Sequence, residues 1–119
     1  MKIELSWPEP VLWPNNKAHD MAKARARKVA KHEAYYAAKQ ALDGQPFAQS
    51  SDAVISVKIT GHRPRRVRKI DTDNLQAALK AALDGIALAL EIDDSHFRPV
   101  TGWGQDMPPR GRVVVEVGE

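Results

Sequence analysis

Three short segments of this chain alternate apolar and polar residues, and that pattern limits the fold more than any other feature. In residues 2–7, "KIELSW", Ile3, Leu5 and Trp7 fall on one face. In residues 53–60, "AVISVKIT", that face carries Ile55, Val57 and Ile59; in residues 112–117, "RVVVEV", it carries Val113, Val115 and Val117. A strand with period-two alternation has one face to bury and one to wet, so it needs a covering layer. Two stretches can supply that layer as helices. Residues 17–43 are rich in Ala, Lys and Arg without Pro or Gly, which predicts a long helix stopped by Gly44. Its first half is basic, and its second half, "EAYYAAKQAL", is apolar enough to rest on a core. Residues 73–90 set Leu75, Leu79, Ala82, Leu83, Ile86 and Leu90 in one stripe, which predicts a second helix. "SHFRPVTGW" is expected to add a short strand and "GQDMPPRG" a turn. The expected order is β-α-β-α-β-β in a single domain, residues 1–119. That is an α+β fold, with a mixed sheet of about four strands packed against two main helices.

The 119 residues hold no cysteine, which excludes disulfides and thiolate metal sites and fits a reducing, cytoplasmic setting. "MKIELSWPEP" has one lysine and no long apolar run, so neither a signal peptide nor a membrane span is expected. The net charge of +3 is mild, but its distribution is not. Residues 17–31 carry Lys17, Lys23, Arg25, Arg27, Lys28 and Lys31 against Asp20 alone. Residues 63–69 carry Arg63, Arg65, Arg66, Arg68 and Lys69 with no acid. Two basic blocks in one small domain point to a polyanion, with nucleic acid the foremost candidate.

Directly after the second block comes "DTDN", residues 71–74. Two readings of its aspartates stand side by side. Acids cap helix N-termini and favour the helix dipole by about 0.3–1 kcal/mol each. Acids also hold divalent cations. Steps of four, three and four from Asp73 reach Ala77, Lys80 and Asp84, a face turned away from the leucine stripe. A helical lysine leans toward the N-terminus, so Lys80 can reach back toward Asp73. Asp84 is either the partner of Lys80 or a further acid, and the i,i+4 spacing favours the pair. Glu91, Asp93 and Asp94 follow the helix, where its negative end disfavours acids. Acids without a local electrostatic reward are candidates for a divalent cation serving phosphoryl chemistry, with the neighbouring arginines on the phosphates.

The stretch "DTDNLQAALKAALDGIALALEIDD", residues 71–94, resembles the RusA family of Holliday-junction resolvases, in its phage-type branch. "SWPEPVLWPNNKAH", the basic run before the aspartates and the overall length add to the resemblance. It implies a homodimeric, Mg²⁺-dependent endonuclease, with Mn²⁺ as an alternative ion, that cuts four-way DNA junctions by paired nicks. The family's three acids correspond to Asp71, Asp73 and Asp94, the second of the acidic pair being taken as the ligand. The family's lysine falls at Ala77 here, and Lys80, one turn on along the same face, is its stand-in. The resemblance also puts Asn15, Asn16, Lys17 and His19 in a polar cluster near the DNA, although Asn16 reads equally well as a helix N-cap. Expected DNA contacts are Arg63, Arg65, Arg66, Arg68, Lys69, Asn16, Lys17, Arg25 and Lys28. His62 is expected to face DNA or solvent, and Trp7, Trp13 and Trp103 to pack in the core or an interface. Two rival readings remain: a non-catalytic DNA-binding module with the aspartates as caps, and a metal-dependent nuclease for other branched or single-stranded DNA.

Overall fold

A computed structural model describes residues 1–48, 54–64 and 71–118. Strand β1 (Lys2–Leu5) leads through a 3-10 turn at Pro10–Leu12 to helix α1 (Asp20–Leu42). Strand β2 (Ile55–His62) is followed by helices α2 (Thr72–Ala78) and α3 (Lys80–Leu90). A second 3-10 turn, Asp94–His96, opens strand β3 (Phe97–Trp103), and β4 (Arg112–Val117) ends the fold. The four strands form one sheet in the order β1-β4-β2-β3, with β2 and β3 parallel and the other pairs antiparallel. A parallel pair needs a crossover, and α2 with α3 supplies it. The mixed α+β layering expected from the alternation is the one observed, with the second helix in two pieces.

Register follows from burial. Ile3 lies opposite Val115, which lies opposite Ile59 on its other side, and Leu5, Val113 and Gly61 form the next row. All five apolar side chains in these rows are buried. Each contributes about 1.5–3 kcal/mol on burial, and a slip by one residue would turn the whole set to water. On the outer face Lys58 lies opposite Glu116, and Glu4 pairs with Arg112 at 3.3 Å. The latter pair is half exposed and worth about 0–1 kcal/mol. β3 is an edge strand, which is where a sheet tolerates a residue such as Pro99.

The helices cover the other face. Along α1 only Ala34 and Ala38 are fully buried, in the half expected to meet the core. They pack with α3 residues such as Ala82 and Ile86 in one cluster. Small residues let the two axes come close, and Gly85 marks the tightest approach. A Cβ there would overlap the carbonyl oxygen of Lys31 on α1.

Several boundaries differ from expectation. α1 starts at Asp20, not residue 17, because the Asn16 Oδ1 accepts from the Ala18 amide at 2.8 Å and holds the chain in a turn. His19, not Asn16, is the cap: its Nδ1 accepts from the Met21 amide at 3.3 Å. At the other end the left-handed turn begins at Asp43, one residue before Gly44. The expected helix 73–90 is interrupted at Leu79, whose φ of −96° and ψ of 4° leave the helical region. Hydrogen bonds still cross the break, from the Leu79 amide to Leu75 and from the Leu83 amide to Leu79. α3 ends with Glu91 in a left-handed conformation at φ 59°, and the Ile92 amide donates to the Ala87 carbonyl. That is a Schellman closure made without glycine.

Two stability changes follow. Gly85→Ala should cost about 2 kcal/mol or more, because backbone cannot yield as a side chain can. Glu91→Gly should add about 0.5–1 kcal/mol by relieving the left-handed strain. Urea unfolding of the two variants beside the parent checks both signs.

Candidate functional site

The crossover helices bring acids to one place. An open pocket of about 440 Å³ is lined by Asp73 and Gln76 of α2, Lys80 and Asp84 of α3, and Asp94 at the mouth of β3. Gln76 is anchored there, its Oε1 accepting from the Thr101 hydroxyl at 2.9 Å, which ties α2 to β3. Asp73, Lys80 and Asp84 therefore do share one face, and the acidic pair after α3 folds back to meet it.

The two members of that pair differ. Asp93 caps the short turn, with its Oδ1 accepting from the Ser95 amide at 2.9 Å. This hydrogen bond, above all, holds the Asp93 carboxyl below its ordinary range. So Asp93 does have a local reward, contrary to expectation. Asp94 turns into the pocket and meets Asp84. The hydrogen bond shared with Asp84, followed by burial and the Asp84 charge, holds the Asp94 carboxyl above its ordinary range. The expected Lys80–Asp84 pair is not formed among the described residues. Asp84 faces another acid instead, because the Schellman turn and the 3-10 turn return the chain to that side of α3.

Asp71 sits at the N-cap of α2 in extended conformation, with no side-chain capping bond. Capping therefore accounts for less of "DTDN" than its sequence suggests. Asp71 is exposed and is not among the residues lining the pocket. Among the described residues, no three His, Asp or Glu side chains converge closely enough to hold one ion together.

The basic residues divide unevenly. Arg65, Arg66, Arg68 and Lys69 lie outside the described residues. Arg63 lies over the Trp103 ring at 4.5 Å, with its Nε buried and without a hydrogen-bond partner. Trp103 in turn packs against Trp7, which packs against Trp13, all three as partly buried rings against the core. His62 is engaged by the Gln105 carbonyl, which accepts from its Nδ1 at 2.7 Å. Lys17, Arg25 and Lys28 are exposed. The cations of α1 that approach the acids are others, Lys23 and Arg27, which line a second pocket that shares Lys80 and Asp84 with the first. Their i,i+4 spacing is the signal in the sequence that marks them as one face.

No protein-family model matches the chain. An uncharacterized protein of Xylella fastidiosa (strain Temecula1) is 30% identical over 115 residues, covering 97% of this chain and 74% of that protein. The chain belongs to that protein's family. Nearly the whole domain is shared with it, so the alignment includes the helices and turns that build the acidic pocket. Among the described residues no helix is long and apolar enough to cross a membrane.

The opposed carboxylates give a pH signature. A carboxyl raised by folding contributes stability that is fully present below its unfolded value and lost as pH rises through its folded value. Asp84→Asn removes the repulsion, so it should raise the melting temperature at pH 7. The gain should shrink as pH falls through the carboxylate range. Thermal melts of parent and variant from pH 7 to about pH 3.5 test the sign.

Proposed function

We propose that the protein is a metal-dependent endodeoxyribonuclease that resolves four-way DNA junctions by paired symmetric nicks, acting in the cytoplasm as a homodimer. The observation that carries the reading is the pocket in which Asp94 and Asp84 oppose each other beside Asp73 and Lys80. Two like charges held together are what a cation would relieve. Mg²⁺ commonly takes one or two carboxylates, with waters and phosphate oxygens completing its shell, so this donor set fits it, with Mn²⁺ as the alternative. Asp84 and Asp94 would hold the ion, with Asp73 on the same wall and Asp71 two residues upstream. Bound there, the ion would supply an acidified water and stabilise charge developing on the phosphate.

The chain's own residues divide the remaining work. Lys80 lines the same pocket as the acids and would offer its ammonium to the phosphate oxygens. Ala77, on the same wall, keeps that approach clear. The basic blocks would draw in the DNA backbone. The resemblance of residues 71–94 to the RusA family supports a junction as substrate, and two coordinated nicks require two sites, hence two copies. The absence of a three-acid cluster among the described residues favours a second reading, a DNA-binding module without catalysis.

A synthetic four-way junction separates these readings. Symmetric nicks that require Mg²⁺ or Mn²⁺ are expected, and Asp94→Asn and Asp73→Asn should abolish them while leaving binding intact. Lys80→Ala should slow cleavage by about 10²-fold. Adding Ala77→Lys to that variant should restore part of the rate, because both positions face one pocket. Binding without cleavage in either metal rejects the enzyme, and equal cutting of flaps and junctions rejects the junction as the specific substrate. Millimolar Mg²⁺ should also raise the melting temperature of the parent but not of Asp84→Asn/Asp94→Asn.

A further inference from the structure

The second pocket, about 470 Å³, lies between the N-terminal 3-10 segment and the crossover helices. Trp13 and Leu12 form one side, Lys23 and Arg27 of α1 another, and Lys80 and Asp84 the boundary with the acidic pocket. We infer that this pocket binds one nucleotide of the DNA strand next to the phosphate held at Lys80. In it Lys23 and Arg27 bracket the neighbouring phosphate, and Trp13 and Leu12 receive the sugar and base. The inference rests on the reading of the protein as DNA-binding and extends it to a defined track.

Three observations carry it. Lys23 and Arg27 lie one helical turn apart, about 5.4 Å along the axis, and both line the pocket. Neither forms an ion pair among the described residues. The acid on the same lining is Asp84, and neither cation pairs with it. Two uncommitted cations facing a groove with an aromatic wall match a phosphate joined to a flat apolar group. Continuity supplies the third point. The pockets share Ala77, Lys80 and Asp84, so they adjoin along one helix face, and a strand leaving the acids meets the basic groove next. Arg25 and Lys28, although more conspicuous in the sequence, are not on this lining.

The test is binding of the full chain to a fluorescent four-way junction in EDTA, across a KCl series. Each phosphate contact adds about 0.9 to the slope of log affinity against log salt. Lys23→Ala/Arg27→Ala should lower that slope by about 1 to 2, while Lys39→Ala/Lys58→Ala, with the same charge change elsewhere, should leave it near the parent value. Lys23→Arg/Arg27→Lys should retain the parent slope. An unchanged slope in Lys23→Ala/Arg27→Ala overturns the inference, as do equal losses in both alanine pairs or no DNA binding by the parent. Cleavage is scored separately in Mg²⁺. A lowered slope in a protein that never cuts keeps the nucleotide site and removes the nuclease. Normal cutting with an unchanged slope does the reverse.

Discussion

The close approach of α1 to α3 is the contact on which the rest of the arrangement depends. Gly85 meets the backbone of Lys31, and Ala34, Ala38 and Ala82 keep the surrounding interface narrow. Gly85 directly follows Asp84, and Lys31 lies one turn beyond Arg27. The same contact that closes the core therefore fixes how far the bases of α1 stand from the acids of α3. A wider spacing, with larger side chains at these positions, would preserve the fold class and separate the two kinds of charge.

Much of this could be read from the sequence, because it rests on local periodicity. Ile55, Val57 and Ile59 declared a one-faced strand, and the stripe from Leu75 to Leu90 declared a buried helix face. What was not legible depends on how separate elements meet. Nothing in "AALKAA" marks the break at Leu79, since no proline or glycine is there. Glu91 takes a left-handed conformation usually given to glycine. The meeting of Asp84 with Asp94 is set by two consecutive turns, whose geometry no spacing rule contains. Lys23 and Arg27 were within reach of helical geometry, but Arg25 and Lys28 of the same basic block were the expected DNA contacts instead.

The electrostatic design is an opposition resolved only in part by the protein itself. Asp93 uses its charge on a turn amide, which leaves Asp94 to face Asp84 with no ion pair among the described residues. Lys80 shares the pocket yet forms no ion pair with Asp84, so its ammonium stays available to an incoming anion. Paired acids and uncommitted bases on adjoining walls suit a ligand that carries negative charge and arrives with its own counterions. A phosphodiester strand has both properties.

The position of Pro99 in β3 bears on how two copies could associate. A sheet grows by adding a strand along an open edge, and proline at an edge removes a donor from the side facing solvent. The opposite edge is β1, only four residues long, with Lys2 and Glu4 on its outer face. Both margins of the sheet are thus poorly suited to extension. Symmetric pairing by continuing the sheet is thereby disfavoured, which leaves the helices, the loops and the outer face of the sheet as the surfaces for it.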